Sequence, residues 1–149
     1  FVVVRNERSE WESYAIEINL RIGGTTHPFE ILQFLTDGSY LEEEGLFRAP
    51  SGKAKYYVAS DHLEATLYRA FIPTDLFDIL IRHGLHFDQS RQTGVLVHML
   101  ATTGENGRFG VVAVGDSPEE AQRLYQDIQE VIKREAEEAI RPRDLRELV

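Results

Sequence analysis

The chain has 149 residues, of which 42% are hydrophobic and 28% charged, and its formal net charge is −9. These are ordinary globular values that exclude disorder, and a chain of this length buries roughly two-thirds of its unfolded surface on folding. The acidic net charge and the lack of a basic cluster argue against nucleic acid as a partner. No apolar run is long enough to span a membrane. The absence of cysteine fits a cytoplasmic location.

The chain opens on an apolar run, Phe1 to Val4, that has neither a methionine nor the features of a signal peptide. This run predicts a strand that is entered midway, so we expect the chain to be the C-terminal piece of a longer protein. The polar residues 5–13 predict a hairpin connection. Because the unpaired amide and carbonyl groups of a bare strand edge template association, we also expect the isolated chain to self-associate.

Residues 14–21 alternate between apolar and polar side chains, which predicts a half-buried strand ended by Gly23 and Gly24. A helix is predicted to start at residues 25–28, where threonine can cap and proline is tolerated, and to end at Gly38. Its predicted apolar face consists of Phe29, Ile31, Leu32, Phe34 and Leu35. Residues 40–52 are predicted to be irregular and residues 55–60 to form a strand.

The second half of the chain shows clearer patterns. Residues 73–83 predict an amphipathic helix, and the apolar runs 94–101 and 109–114 predict a β-hairpin. Ser117 as N-cap, with Glu120 closing a capping box, predicts the start of a long helix. If that helix runs to Ile140, it is about 34 Å long at 1.5 Å per residue.

Glu17, Asn19 and Arg21 are the polar residues with the most chemical content. Alternate residues of a strand share one face, with Cα atoms about 6.7 Å apart, so a carboxylate and an amide oxygen could bind one Mg²⁺. The arginine on the same face would suit a phosphate. The alternative is that this face is only the solvated side of an antiparallel sheet, and the pattern alone favours neither interpretation.

The run Glu17 to Arg21 resembles the E-x-N-x-R signature near the end of ATP-grasp domains. The wider resemblance is to the C-terminal part of the pheganomycin-type peptide ligases, a branch of the ATP-grasp carboxylate–amine ligases, and covers most of residues 14–135. It rests on four ordered runs: Tyr14 to Phe29, Gly84 to Phe87, Thr93 to Leu100 and Gly110 to Gly115. It implies an α+β fold in which the terminal strands of an ATP-grasp domain and a helix precede a β-hairpin and a long C-terminal helix.

The resemblance also implies functions for residues. Glu17 and Asn19 would hold Mg²⁺, and Arg21 would contact the phosphates of ATP and act in catalysis. The activity implied is amide formation between a carboxylate and an amine through an acyl phosphate, in a parent protein that supplies the upstream ATP-binding residues. We expect the isolated chain to be inactive, with residues 1–60 ending the ATP-grasp domain and residues 61–149 forming a closing element.

The sequence also allows a second function, and several residues have more than one interpretation. A non-catalytic oligomerisation or binding module derived from such a ligase is the alternative function. Thr25, Thr26 and His27 lie at a helix N-terminus, where they could bind the substrate carboxylate or only cap the helix. His98 is interpreted as a hydrogen-bonded core histidine, and Lys53 and Lys55 as surface residues.

Overall fold

The computed structural model describes residues 1–18 and 21–141. A hairpin of β1 (Val2–Arg5) and β2 (Trp11–Tyr14) forms a separate two-stranded antiparallel sheet. Asn6 closes its turn, because its side-chain oxygen accepts hydrogen bonds from the backbone amides of Arg8 and Glu10. The predicted hairpin is confirmed, but its connection is residues 6–10 and not residues 5–13, because Arg5 lies in β1 and residues 11–13 lie in β2.

The strand predicted over residues 14–21 is wrong for residues 15–18, since β2 ends at Tyr14 and the four residues after it are outside any strand. The register explains this difference. Val2 lies opposite Tyr14, so β1 offers no partner for residues 15–18, and an alternating pattern gives a strand only where a partner exists. Asn19 and Leu20 lie outside the described residues.

The predicted helix is present as α1 (Thr26–Thr36). It ends at Asp37, which adopts the left-handed conformation with φ 51°, one residue before the predicted Gly38. The predicted apolar face is wrong at Phe34, which is 84% exposed, whereas Leu32 is buried.

The main sheet has five antiparallel strands in the order β3-β4-β5-β7-β6. These strands are β3 (Ser39–Leu41), β4 (Leu46–Arg48), β5 (Ala54–Glu64), β6 (Gly94–His98) and β7 (Arg108–Gly115). The prediction of irregular structure over residues 40–52 is therefore wrong for residues 40–41 and 46–48 and confirmed for residues 42–45 and 49–52. The two three-residue strands are too short to show an alternating pattern. The predicted pairing of β6 with β7 is confirmed.

Helices complete the fold and confirm the predicted α+β class. They are a 3₁₀ helix at Thr66–Ala70, α2 (Pro73–Arg82), a 3₁₀ helix at Leu100–Thr102, the single turn α3 (Thr103–Asn106), and α4 (Pro118–Ala139). The Ser117 hydroxyl accepts from the Glu120 amide as predicted. The Glu120 carboxylate instead accepts from the amide of Asp116, so the second half of the predicted capping box is shifted by one residue.

The core lies on both faces of β7, whose residues alternate between two clusters. Phe109, Val111 and Ala113 pack with α2 and α4, whereas Val112 and Val114 pack with Leu32 and Phe47 on the other face. The sheet is therefore covered by α1 on one side and by α2 and α4 on the other. The predicted division between residues 60 and 61 falls within β5 and stays a prediction.

No helix in the described parts of the chain has both the length and the apolar character needed to cross a membrane.

Candidate functional site

Two of the three predicted metal and phosphate residues are exposed. Glu17 is exposed in the stretch after β2, and Arg21 is exposed at a bend before α1. Asn19 lies outside the described residues. Within residues 1–18 and 21–141, no three histidine, aspartate or glutamate side chains are grouped so that they could hold a metal.

The chemistry of the predicted donor set nevertheless suits Mg²⁺. A carboxylate and an amide oxygen are hard ligands, and Mg²⁺ commonly takes only one or two carboxylates and keeps several waters or phosphate oxygens. The exposed Glu17 is free to turn toward such an ion. The metal assignment stays a prediction.

The segment leads directly into α1, at the predicted substrate residues. Thr25 stands at the N-cap position, but its side chain caps no amide. The Thr26 hydroxyl accepts from the amide of Gly23 at 3.3 Å, which fixes the turn before the helix. Helix capping by Thr25 is therefore wrong, and its exposed side chain stays available to solvent.

His27, the third predicted substrate residue, lies against His98. The two rings meet edge to face with centroids 4.8 Å apart and an interplanar angle of 72°. They line a cleft of about 290 Å³ between α1, β5 and the end of β6. The cleft lining is Gly24, His27, Pro28, Ala59, Ser60, Asp61, His98 and Met99.

Three backbone features shape the cleft around His98. A β-bulge in β5 sets Asp61 and His62 opposite the single residue Gly110, since the pairing jumps from Ser60 to Leu63. Met99 has φ 58°, an uncommon conformation for a residue other than glycine. Any side chain at residue 110 would overlap the His98 ring. Bulges and strained backbone are common beside functional sites, so this cluster is a candidate site.

The environment of His98 differs from that expected of a hydrogen-bonded core histidine. Within residues 1–18 and 21–141, its buried Nδ1 atom has no hydrogen-bond partner, so the interpretation as a hydrogen-bonded core histidine is wrong for this nitrogen. Burial lowers the pKa of His98, the neighbouring His27 lowers it further, and only Asp61 opposes them. Arg108 partly neutralises Asp61, because the two form an ion pair at 3.7 Å. The imidazole of His98 is therefore biased toward its neutral form.

The sequence interpretation of Lys55 as a surface residue is also wrong. Its side chain is fully buried, and its Nζ donates to the carbonyl oxygens of Arg91 and Gln92 and pairs with Asp116 at 2.5 Å. Lys53, by contrast, is exposed as predicted and pairs with the other oxygen of Asp116. Since all three donors of Lys55 are used, the residue joins the 88–93 loop to the start of α4.

Comparison with known protein families gives a match to part of the chain. The family model described as the PGM1 C-terminal domain matches residues 75–128. That segment covers α2, β6, β7 and the first half of α4, about a third of the chain, and does not include residues 17–27. No curated protein and no solved structure matches the chain. The chain therefore contains a segment similar to a PGM1 C-terminal domain.

Proposed function

We propose that this chain is the C-terminal part of an ATP-dependent carboxylate–amine ligase that forms an amide through an acyl phosphate. The observation that carries the proposal is the agreement of two independent signals. The E-x-N-x-R run at residues 17–21 resembles the end of an ATP-grasp domain, and the segment that follows matches a family model for a C-terminal domain. The two signals lie in the order that such a ligase would need.

The described geometry is compatible with this function. Glu17 and Arg21 are exposed, as residues that bind a nucleotide from another part of a protein must be. The segment between them and α1 is short, so bound phosphate would lie near Thr25 and the His27–His98 cleft. In the parent ligase, upstream strands would pair with residues 15–18 and complete the sheet edge that β1 leaves unpartnered.

In this proposal, Glu17 and Asn19 bind Mg²⁺ and Arg21 binds the phosphates of ATP. When bound, Mg²⁺ would neutralise phosphate charge, which is the main requirement of phosphoryl transfer. Arg21 donates to phosphate oxygens and compensates the negative charge that develops there, in bonds worth about 1.5–3 kcal/mol each. The substrate carboxylate attacks the terminal phosphorus, ADP leaves, and the amine then displaces phosphate from the acyl carbon.

The alternative function, a non-catalytic association module, has one observation in its favour. The first 22 residues expose more large apolar side chains than the few scattered ones that are usual on a protein surface. They are Phe1, Val2, Val3, Val4, Trp11, Tyr14, Ile16, Ile18 and Ile22. Exposed apolar patches of this kind mark interaction surfaces. The same surface would be covered by the upstream half of a ligase, so this observation does not displace the first proposal.

The test is ADP release by the full-length protein supplied with Mg-ATP, carboxylates and amines. We expect Glu17→Gln to lower turnover at least about 100-fold, as loss of a charge-stabilising group does, while the melting temperature changes little because the side chain is exposed. Glu42→Gln, another exposed carboxylate, is the matched control and should retain full activity.

Two results would overturn the proposal. Release of AMP and pyrophosphate would indicate adenylation of the carboxylate in place of phosphorylation. Equal activity of the Glu17→Gln and Glu42→Gln proteins would remove Glu17 from the nucleotide site.

A further inference from the structure

His98 and His27 form a pair that the ligase proposal does not use. The pair lines the cleft beside α1, and its member His27 is six residues downstream of Arg21. Each feature of the cleft keeps His98 in place: Gly110 leaves room for its ring, Met99 turns the chain directly after it, and the β5 bulge brings Asp61 close. A structural histidine would be expected to have hydrogen-bond partners for its ring nitrogens, but Nδ1 has none in the part of the chain that the structure describes.

We propose that His98 is the general base that accepts the proton of the attacking amine in the amide-forming step. This inference rests on the proposed ligase function and assigns a role that the function needs. An amine nitrogen becomes positively charged as it bonds to the acyl carbon, and it must lose a proton for a stable amide to form. A neutral imidazole next to the phosphate site is a suitable acceptor.

The lone pair of the free amine forms the C–N bond, and the C–O bond to phosphate breaks, so that phosphate leaves with that electron pair. The proton on nitrogen passes to the cleft-facing ring nitrogen of His98, and is afterwards released to solvent through the open mouth of the cleft. No oxidant or additional reactant is required.

His27 assists by keeping His98 neutral. Two adjacent imidazolium ions would repel each other, so the presence of His27 lowers the pKa of His98, in the same direction as burial. The other charged group that acts on the ring is Asp61 on β5, which pairs with Arg108 at the start of β7, while β7 itself presents the uncharged Gly110 to the ring. This arrangement leaves His98 unprotonated at neutral pH and ready to accept a proton.

The experiment compares two nucleophiles in the full-length protein. With an ordinary amine, we expect His98→Gln to lower kcat/KM by about 10²–10⁴-fold, the usual contribution of a general base. The protonated nitrogen of a hydroxylamine adduct is far more acidic than that of an alkylamine adduct and can lose its proton to water, so the hydroxamate product should form at a rate close to that of the unsubstituted protein. His86→Gln, at an exposed position outside the cleft, is the control and should change neither rate.

The pH profile provides a second readout. Activity with the amine should fall at low pH as His98 becomes protonated, and His27→Gln should move that fall to higher pH because the pKa of His98 rises. Equal losses with both nucleophiles in His98→Gln would show that the residue is structural and would overturn the proposal. Full activity of His98→Gln would overturn this inference alone, whereas absence of ADP release by the unsubstituted protein would overturn the ligase function as well.

Discussion

Lys55 shows how much of this structure depends on a single buried charge. Its ammonium group has no exposed surface and satisfies two loop carbonyls and Asp116 at once. The nearby Lys53 pairs with the same carboxylate but remains exposed to water. The two lysines therefore offer a direct comparison of a buried and an exposed ion pair with one shared partner.

We expect Lys55→Met to lower the free energy of unfolding by about 3 kcal/mol, since removing one partner of a buried pair leaves the others unsatisfied. Lys53→Met should cost less than about 1 kcal/mol because exposed pairs contribute little. Urea denaturation of both variants measures the difference. Equal losses in the free energy of unfolding would mean that the buried ion pair of Lys55 contributes no more to stability than the exposed pair of Lys53.

At the scale of elements, α2 and α4 are joined by a charged cluster at their ends. Glu135 accepts hydrogen bonds from Arg82 at 2.8 Å and from His83 at 2.7 Å. These two bonds, that of Arg82 first, lower the pKa of Glu135 below its usual value of 4.5. The cluster therefore depends on an ionised carboxylate.

A carboxylate with a depressed folded-state pKa stabilises the fold above its unfolded pKa, and this contribution is lost as the pH falls through the folded value. We expect Glu135→Gln to lower stability at pH 7 but to leave stability at pH 3 closer to that of the unsubstituted protein. Glu130→Gln, an exposed position on the same helix, should show no such pH dependence. Thermal melting at the two pH values provides the measurement. An equal loss of stability at pH 7 and at pH 3 in Glu135→Gln would contradict the lowered pKa.

The sequence predicted those elements whose signals are local. Ser117 and Pro118 marked the start of α4, and the apolar runs marked β6 and β7. The alternation after Tyr14 predicted too long a strand because pairing depends on how many residues β1 supplies. Three-residue strands such as β3 give no periodic signal at all.

The candidate site likewise contains residues with a local sequence signal and residues that only the tertiary structure brings together. The short run containing Glu17 and Arg21 was visible in the sequence, and so was the potential of His27. Its neighbour His98 was not, because only the antiparallel pairing of β6 with β7 and the position of α1 bring the two rings together. The interpretation of Lys55 as a surface residue is wrong for a similar reason. Lysine is seldom buried, and only the tertiary structure supplies the partners of this one.

At the scale of the whole molecule, the first hairpin stands apart from the main sheet. Its residues Val2, Val3 and Val4 are 42%, 55% and 40% exposed. A two-stranded hairpin by itself is only marginally stable in water, and an open apolar edge favours pairing with another chain. Self-association of the isolated chain accordingly remains our expectation.

We expect the isolated chain to show a concentration-dependent mass by light scattering, and Val3→Lys to shift it toward the monomer. Ser51→Lys adds the same charge in an exposed turn that is not part of the hairpin, and should leave association unchanged. A chain that stays monomeric at every concentration would show that this edge needs no partner. Equal effects of the two lysines would point to net charge as the cause.

The order of strands in the main sheet also has a consequence for how the chain must be made. The central strand β5 pairs with β7, yet α2 and β6 lie between them in the sequence. At about 5–20 residues per second, β5 leaves the ribosome several seconds before its main partner is available. During that interval one long edge of β5 is open. Asp61 and His62, which form the bulge once β7 has paired, place polar side chains along that edge, where they disfavour the addition of another strand. The two residues that shape the histidine cleft in the folded protein would thus also protect the chain from misassembly during synthesis.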